Sequence, residues 1–161
     1  METILCYIFH MASIDEEIKS RFPNEKARFL ANLIFTANWF QNKFIDFLKP
    51  YGVSPEQFNI LRILRGTGDW MTMNDIKSRM MDKAPNATRL ADKLLEKGYV
   101  MRKRSESDRR VVYLNLTKEG SQLLEDIDRD PGMKRDPFLE NISEKDAKKF
   151  SAILDKIRID N

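Results

Sequence analysis

Basic side chains are concentrated in one stretch of this chain, and phosphate binding is the chemistry that they would do. Between positions 97 and 110 there are six Lys or Arg residues against one Glu and one Asp, a local charge of +4. The net charge of the 161-residue chain is only +3, so the other residues are close to neutral. A cation cluster in an otherwise balanced chain predicts a nucleic acid partner. The cluster consists of Lys97, Arg102, Lys103, Arg104, Arg109 and Arg110.

A second set of candidate residues precedes the cluster, on a segment with helical periodicity. Positions 87, 90, 91, 94 and 95 are apolar and share one arc of a helix, which leaves the opposite arc polar. Arginine can bond to guanine, asparagine to adenine, and threonine to a phosphate or a thymine methyl group. The opposite arc therefore either reads bases or is a solvated helix face, and the neighbouring cation cluster favours reading. Its residues are Asn86, Thr88, Arg89 and Lys93.

The tip of a predicted hairpin carries further candidates. Residues 99–104 and 111–116 have the composition of strands, and a polar turn joins them. Arg109 and Arg110 in that turn suit a narrow minor groove, where the negative potential is enhanced; an exposed ion pair without a role is the alternative. Arg102, Lys103 and Arg104 on the first strand would contact phosphates, which position a protein without specifying a sequence.

The elements that must position these residues follow from apolar spacing and from capping signals. Ser54-Pro55-Glu56-Gln57 is a helix start, and Thr117 and Ser143 each cap a later helix. Thr72 also precedes a helix, where it is either a phosphate ligand or a plain cap. We expect Met81 to face inward at the end of that helix, and the next helix to begin at Ala84 or Pro85. The expected helices cover 25–49, 55–66, 73–81, 84–97, 118–130 and 144–158.

The first long helix, residues 25–49, is apolar over nearly its whole circumference, so something must cover it. It is either the central core helix or a helix shared between a core and a subunit interface. Aromatic residues in this helix and the next are either ordinary core or the lining of a ligand pocket. These residues are Phe35, Trp39, Phe40, Phe44 and Phe58.

The order of three helices followed by strand, turn and strand is typical of a winged helix-turn-helix. Asp108-Arg109-Arg110, followed by Leu116-Thr117 and Gly120, resembles the wing signature of the MarR family, Asp-x-Arg and then Leu-Thr-x-x-Gly. Residues 88–100 look like that family's recognition helix and its exit into the wing. Residues 54–58 resemble the start of its second helix, and 139–158 its closing helix. Pro85-Asn86-Ala87 departs from the family's Ser/Thr-rich opening, so no base preference is carried over.

The resemblance implies a mostly α fold with a small β-hairpin wing, flanked by N- and C-terminal dimerisation helices. Residues 1–24 are then an N-terminal extension and 25–161 a single MarR-like unit. Within it, 25–49 and 118–161 form the dimer and 53–117 bind DNA. By family position Arg110 is the inserting residue and Asp108 orients it. The family's small-molecule effectors bind between the dimer base and the winged domains, where the aromatic residues would lie.

The function implied is a sequence-specific DNA-binding transcriptional regulator. We expect a ligand-responsive repressor that binds a pseudo-palindromic operator in double-stranded DNA as a homodimer, released by a small apolar or aromatic effector. The alternative is a winged-helix module that binds a protein or RNA partner.

Composition bounds the remaining functions. With one cysteine, Cys6, and one histidine, His10, the chain cannot form an internal disulfide framework or a site of several Cys or His ligands. It has no Gly-rich phosphate loop and no recognisable catalytic set. We therefore expect no enzyme activity, no metal, no cofactor, no membrane partner and a reducing, cytoplasmic location.

Overall fold

The computed structural model describes residues 13–81, 86–105, 107–108, 110–134 and 142–159. Cys6, His10 and Arg109 lie outside these ranges, as do Ala84 and Pro85, where the fifth helix was expected to begin. The chain divides into two compact units, 1–46 and 47–161.

Helices dominate the described residues, and three short strands form one antiparallel sheet. The elements are α1 (Ile14–Glu17), α2 (Glu25–Leu48), a 3-10 turn (Lys49–Tyr51), α3 (Pro55–Thr67), β1 (Met71–Thr72), α4 (Met73–Arg79), α5 (Ala87–Glu96), β2 (Val100–Arg104), β3 (Val112–Leu116), α6 (Lys118–Arg129), α7 (Pro131–Lys134) and α8 (Glu144–Ile157). The expected fold class, mostly α with a small β wing, is confirmed.

Side-chain caps start the helices of the second unit where the sequence predicted them. At α3 the Ser54 hydroxyl accepts the N–H of Gln57 at 3.3 Å, and the Gln57 side chain accepts the N–H of Ser54 at 3.1 Å. The hydroxyls of Thr117 and Ser143 accept N–H groups three residues on, at 3.0 and 3.1 Å. Each bond satisfies an amide that a helix start would otherwise leave unpaired.

Two boundaries around α5 differ from expectation. The helix begins at Ala87, because the backbone of Asn86 has φ −101° and ψ 17° and is not helical. The preceding helix, α4, ends at Arg79, since Met80 has extended backbone with ψ 137°. Met80 is buried, but Met81 is 93% exposed, so its expected inward position was wrong. Met81 would have faced inward only if α4 had continued to that residue.

The sheet has the strand order β1-β3-β2. Leu114 lies opposite both Met71 and Arg102, and Tyr113 lies opposite Lys103. Residues paired across strands share a face, and successive residues alternate between faces. Arg102 is therefore on the face of the buried Leu114, and Lys103 is on the other face.

The core of the second unit is built by α3, α4, α5, α6 and the sheet. Its fully buried side chains include Ile60, Leu61, Leu64, Ile76, Leu94, Leu124 and Ile127. Ala87, Ala91 and Leu94 bury one side of α5, as the apolar arc predicted. The opposite side of α5 is consequently held outward by packing.

Two helices bury almost nothing within one chain. Leu48 is the buried residue of α2, and α8 has none. Leu30 and Ile34 of α2 are 55% and 54% exposed, and Ile157 of α8 is 57% exposed. Among the described residues no helix is long and apolar enough to cross a membrane.

Candidate nucleic-acid interface

The exposed side of α5 carries the predicted base readers. Thr88, Arg89 and Lys93 are exposed on this helix, and Asn86 is exposed at its N-cap position. The Asn86 side chain makes no capping hydrogen bond, so its amide is not used by the helix. The burial of Ala87, Ala91 and Leu94 fixes the rotation of the helix, and this rotation keeps the polar residues in solvent.

The turn of the wing is ordered by its own side chains. Oδ1 of Asp108 accepts the backbone N–H of Arg110 at 2.9 Å, and the Asp108 carbonyl accepts the N–H of Val111 at 2.9 Å. The Ser105 hydroxyl accepts the N–H groups of Ser107 and Asp108, each at 3.3 Å. Asp108 thus positions the backbone of Arg110. No ion pair in the described part of the chain involves the Arg110 guanidinium.

A cleft of about 380 Å³ separates α5 from the wing. Four of the predicted site residues line it: Thr72, Thr88, Arg102 and Arg110. The floor is apolar, with Ala91, Leu95, Val112 and Leu114 among its lining residues. The structure therefore brings a candidate base reader, a phosphate contact and the wing arginine to one opening.

Asn74, the second residue of α4, also lines this cleft and is exposed. Sequence reasoning missed it, because nothing in the sequence separates it from an ordinary first-turn residue. Asn74 could have been predicted from the resemblance, because in a helix-turn-helix the start of the preceding helix lies close to the recognition helix, here α5.

Arg102 is directed toward α5 by a carboxylate. Its Nη1 atom lies 3.9 Å from Oδ1 of Asp92, and both side chains are more than half exposed. A pair this exposed contributes little stability, because water and salt screen it. The guanidinium therefore stays available to a stronger anion such as a DNA phosphate.

Lys103 lies on the other face of the sheet and has aromatic neighbours. Its Nζ atom is 4.2 Å from the centroid of the Trp70 ring and 5.9 Å from that of Tyr113. A cation over an aromatic face is attracted by the ring quadrupole. The three basic residues of β2 were predicted to contact phosphates, and the strand register places Lys103 on one face of the sheet and Arg102 and Arg104 on the other.

Thr72 acts as a helix cap in the structure. Its hydroxyl donates to Oδ2 of Asp75 at 2.7 Å and accepts the Asp75 N–H at 3.1 Å. The hydroxyl proton is therefore already committed to a carboxylate. The capping interpretation of Thr72 is therefore confirmed, and phosphate binding at this helix start stays a prediction.

A close contact behind the wing explains the Leu-Thr-x-x-Gly signature. The Thr117 hydroxyl donates to the Gly98 carbonyl at 2.7 Å, and the Thr117 N–H donates to the Tyr99 carbonyl at 3.1 Å. These bonds pull the start of α6 against the exit of α5. A Cβ atom on Gly120 would lie only 2.1 Å from the Tyr99 carbonyl oxygen, so any other residue at this position must displace the backbone.

The predicted effector-pocket residues are divided between the two units. Phe35, Trp39 and Phe40 are exposed on α2, where the Phe40 and Phe44 rings stack with centroids 6.5 Å apart. In the second unit, Phe58 is buried in the core, with the Arg62 guanidinium 5.8 Å from its ring centroid.

Three helices followed by a wing, with a polar recognition helix beside a basic cleft, define a winged helix-turn-helix protein of the DNA-binding class. The family model described as MarR family matches residues 53–112. The uncharacterized HTH-type transcriptional regulator YwoH of Bacillus subtilis is 33% identical over 104 residues, which are 65% of this chain and 74% of YwoH. The chain belongs to the MarR family.

Two further relatives bear on function and fold. The HTH-type transcriptional repressor MdtR of Bacillus subtilis is 32% identical over 87 residues, which are 54% of this chain but only 56% of MdtR. A crystal structure of mutant MarR from E. coli complexed with operator DNA superposes with a TM-score of 0.71 at 23% identity, covering 87% of this chain and 100% of that one. The chain is thus a MarR-family transcriptional regulator and not an enzyme.

Proposed function

We propose that this chain is a ligand-responsive repressor that binds a pseudo-palindromic operator in double-stranded DNA as a cytoplasmic homodimer. Residues 53–117 bind DNA in this proposal, and 25–49 and 118–161 form the dimer. The observation that carries it is the cleft where the exposed polar side of α5 meets the wing arginine. The likeness to the operator-bound MarR fold and the kinship with the repressor MdtR support it.

The two sides of the cleft enter different grooves. The exposed side of α5, including Lys93, lies in the major groove, where Arg89 reads guanine, Asn86 reads adenine, and Thr88 contacts a phosphate or a thymine methyl group. The wing places Arg109 and Arg110 in the neighbouring minor groove, and the bond between Asp108 and the Arg110 backbone holds the turn for insertion.

Phosphate contacts come from both faces of the wing. Arg102 reaches a phosphate from the cleft, since its pairing with Asp92 is long and exposed. Lys103, whose ammonium group lies over the Trp70 ring, reaches a phosphate from the opposite face. Thr72 contributes to phosphate binding by capping α4, whose first N–H groups contact the phosphate. Its hydroxyl proton is not available, because it is donated to Asp75.

The exposed apolar surfaces of α2 and α8 support a homodimer. Fully burying one large aliphatic or aromatic side chain stabilises a protein by about 1.5–3 kcal/mol. Phe29, Leu30 and Ile34 of α2 are exposed, as are Phe150 and Ile153 of α8. A second copy of the chain supplies the same surfaces in return, and a two-fold dimer matches a pseudo-palindromic site.

The aromatic residues of α2 and Phe58 support an apolar or aromatic effector. Phe35, Trp39, Phe40 and Phe44 lie close together along α2. An effector bound there can release DNA only if it has different affinities for the DNA-bound and free forms of the dimer.

Gel retardation with the DNA immediately upstream of the chain's own gene tests DNA binding. We expect retardation that weakens steeply between about 50 and 200 mM salt, because cations released from phosphates dominate the affinity. Arg110→Ala should weaken binding by roughly tenfold or more, the order of magnitude for one groove-reading arginine. Arg129→Ala is the matched control, since that residue pairs with Glu125 on α6, far along the chain from the wing.

Wild-type affinity in the Arg110→Ala variant would refute the role of the wing. Absence of retardation by the wild type at low salt would favour the alternative, a winged-helix module for a protein or RNA partner.

Sedimentation equilibrium tests the homodimer. Ile153→Asp places a charge on the exposed apolar stripe of α8 and should shift the chain toward monomer. Lys148→Glu alters a charge on the opposite side of the same helix and should leave the mass unchanged. A wild-type chain that sediments as a monomer at micromolar concentration would refute the dimer.

A further inference from the structure

A hydrogen bond joins the segment before α3 to the end of α6. The Tyr51 hydroxyl donates to Oδ2 of Asp130 at 2.5 Å, and Oδ1 of that carboxylate accepts the Gly132 N–H at 2.7 Å. The bond to Asp130, with some burial, raises the pKa of Tyr51 to about 12. The bond from Tyr51 lowers the pKa of Asp130. The phenol therefore keeps its proton and the carboxylate its charge near neutral pH, so the bond is charge-assisted.

Aromatic packing surrounds this bond. The rings of Phe47 and Tyr51 lie 5.9 Å apart between centroids. Gly132 fits between its neighbours so closely that a Cβ atom there would be 3.0 Å from both Phe47 Cε2 and Asp130 Oδ1. Phe47 is also the first residue of the second unit. We call Phe47, Tyr51, Asp130 and Gly132 the junction clasp.

Both segments that the clasp joins also form hydrogen bonds with the C-terminal end of α5. The Gly52 carbonyl, next to Tyr51, accepts a hydrogen bond from the Lys97 ammonium group. At the other end of α6, the Thr117 hydroxyl donates to the Gly98 carbonyl at 2.7 Å. Lys97 is the C-cap of α5 and Gly98 follows it, so hydrogen bonds connect the end of this helix to Gly52 and to the start of α6.

A small tilt at the C-terminal end of α5 produces a larger displacement at its N-terminal end, where bases would be read. The N-terminal end of α5 carries Asn86, Thr88 and Arg89, whereas these bonds hold its C-terminal end. Thr88 is about 14 Å from Lys97 along the axis at 1.5 Å per residue. A tilt of about 5° at the bonded end would therefore move Thr88 by about 1 Å, more than the roughly 0.5 Å within which a binding constellation must be held.

We propose that Tyr51 is a positioning residue for DNA recognition, acting through the junction clasp and the Lys97–Gly52 bond on the C-terminal end of α5. The inference rests on the proposed function, because it assumes that α5 reads bases. In this proposal, Tyr51 contributes to discrimination between DNA sequences. The cationic side chains provide the general attraction to phosphates.

Tyr51→Phe tests the proposal, since it keeps the ring on Phe47 and removes only the hydroxyl. Two duplexes are compared: the upstream DNA that the wild type retards, and a scrambled duplex of the same length. We expect affinity for the first to fall roughly tenfold, the order of one lost charge-assisted hydrogen bond. Affinity for the scrambled duplex should stay within about twofold, because phosphate attraction does not depend on base register.

The control is Tyr99→Phe, because the Tyr99 hydroxyl makes no hydrogen bond within the described part of the chain; this variant should bind both duplexes like the wild type. Asp130→Ala should reproduce the loss in Tyr51→Phe, and the double variant should add nothing, as expected for partners in one bond. Should Tyr51→Phe fail to fold, Asp130→Asn, which keeps one acceptor oxygen for two donors, takes its place.

Hydrogen exchange of the DNA-free protein provides an independent measurement. In Tyr51→Phe the amides of residues 94–99 should exchange roughly tenfold faster than in Tyr99→Phe, and those of α3 should not. Unchanged discrimination and unchanged exchange would overturn the proposal, and so would equal losses on both duplexes with faster exchange in every helix. If the wild type retards neither duplex, the proposed function fails, and the exchange measurement alone decides the role of Tyr51.

Discussion

Replacing Gly120 by alanine should disrupt the attachment of α6 to the wing. The added Cβ atom would lie 2.1 Å from the Tyr99 carbonyl oxygen and 3.0 Å from Cδ1 of Leu116. Ordinary contact begins at 3.4 Å, so the backbone of residue 99 or the start of α6 must move by about 1.3 Å. A flexible side chain could turn away from such a clash, but a carbonyl that already accepts the Thr117 N–H cannot.

The cost of Gly120→Ala has three parts. Overpacking typically costs about 1–3 kcal/mol, and a clash with backbone belongs at the upper end. The hydrogen bonds of Thr117 to Gly98 and Tyr99 are worth about 1 kcal/mol each, and a shift of this size weakens both. Alanine returns up to about 1 kcal/mol through its higher helix propensity. The net destabilisation should be about 3 kcal/mol.

Urea unfolding followed by circular dichroism at fixed protein concentration measures this difference. With a slope near 2 kcal/mol per molar urea, the midpoint should fall by about 1.5 M. Gly66→Ala is the matched control, since Gly66 lies in α3 and a Cβ atom there would meet nothing within 4 Å. That substitution should be neutral or stabilise by up to about 1 kcal/mol. Equal midpoints for the two alanine variants would refute the close-approach argument.

Three further outcomes are expected. Asp108→Ala should weaken operator binding several-fold, whereas Asp108→Asn, which keeps an acceptor for the Arg110 N–H, should not; equal losses in retardation assays would favour an ion-pair role instead. Thr117→Ala removes the α6 cap and should lower the free energy of unfolding in urea by about 1–2 kcal/mol. The raised pKa of Tyr51, about 12, means that its stabilising effect is complete below pH 10 and disappears as pH rises toward 12. The lowered pKa of Asp130 means that its contribution disappears in acid, so the stability gap between wild type and Tyr51→Phe should narrow at both extremes.

Local chemistry made much of the fold predictable. Ser54, Thr117 and Ser143 cap helices through bonds that span three residues, so their sequence neighbours were sufficient evidence. The apolar arc of α5 likewise predicted which side is buried, because one helix face must pack on the core. The resemblance to the MarR wing signature also predicted which helices and strands come before and after the wing.

The failures come from geometry that local spacing does not contain. Met81 lies outside because α4 stops at Arg79, and no Gly or Pro marks that end. The placement of Lys103 and Arg102 on opposite faces was not predicted at all; it arises because successive residues alternate between the faces of a strand. The bond between Tyr51 and Asp130 spans 79 residues and leaves no local trace at all.

The contact between Lys103 and Trp70 makes the wing visible to fluorescence. The chain has two tryptophans, Trp39 on α2 and Trp70 beside β1, and only the second lies beside this ammonium group, 4.2 Å from it. Indole emission responds to a nearby charge, so a chain carrying Trp39→Phe would have one emitter that senses the basic strand. A phosphate that draws Lys103 away from the ring would change that emission without any attached dye. In the proposed complex, Trp70 would therefore act as an optical reporter of phosphate contact by Lys103.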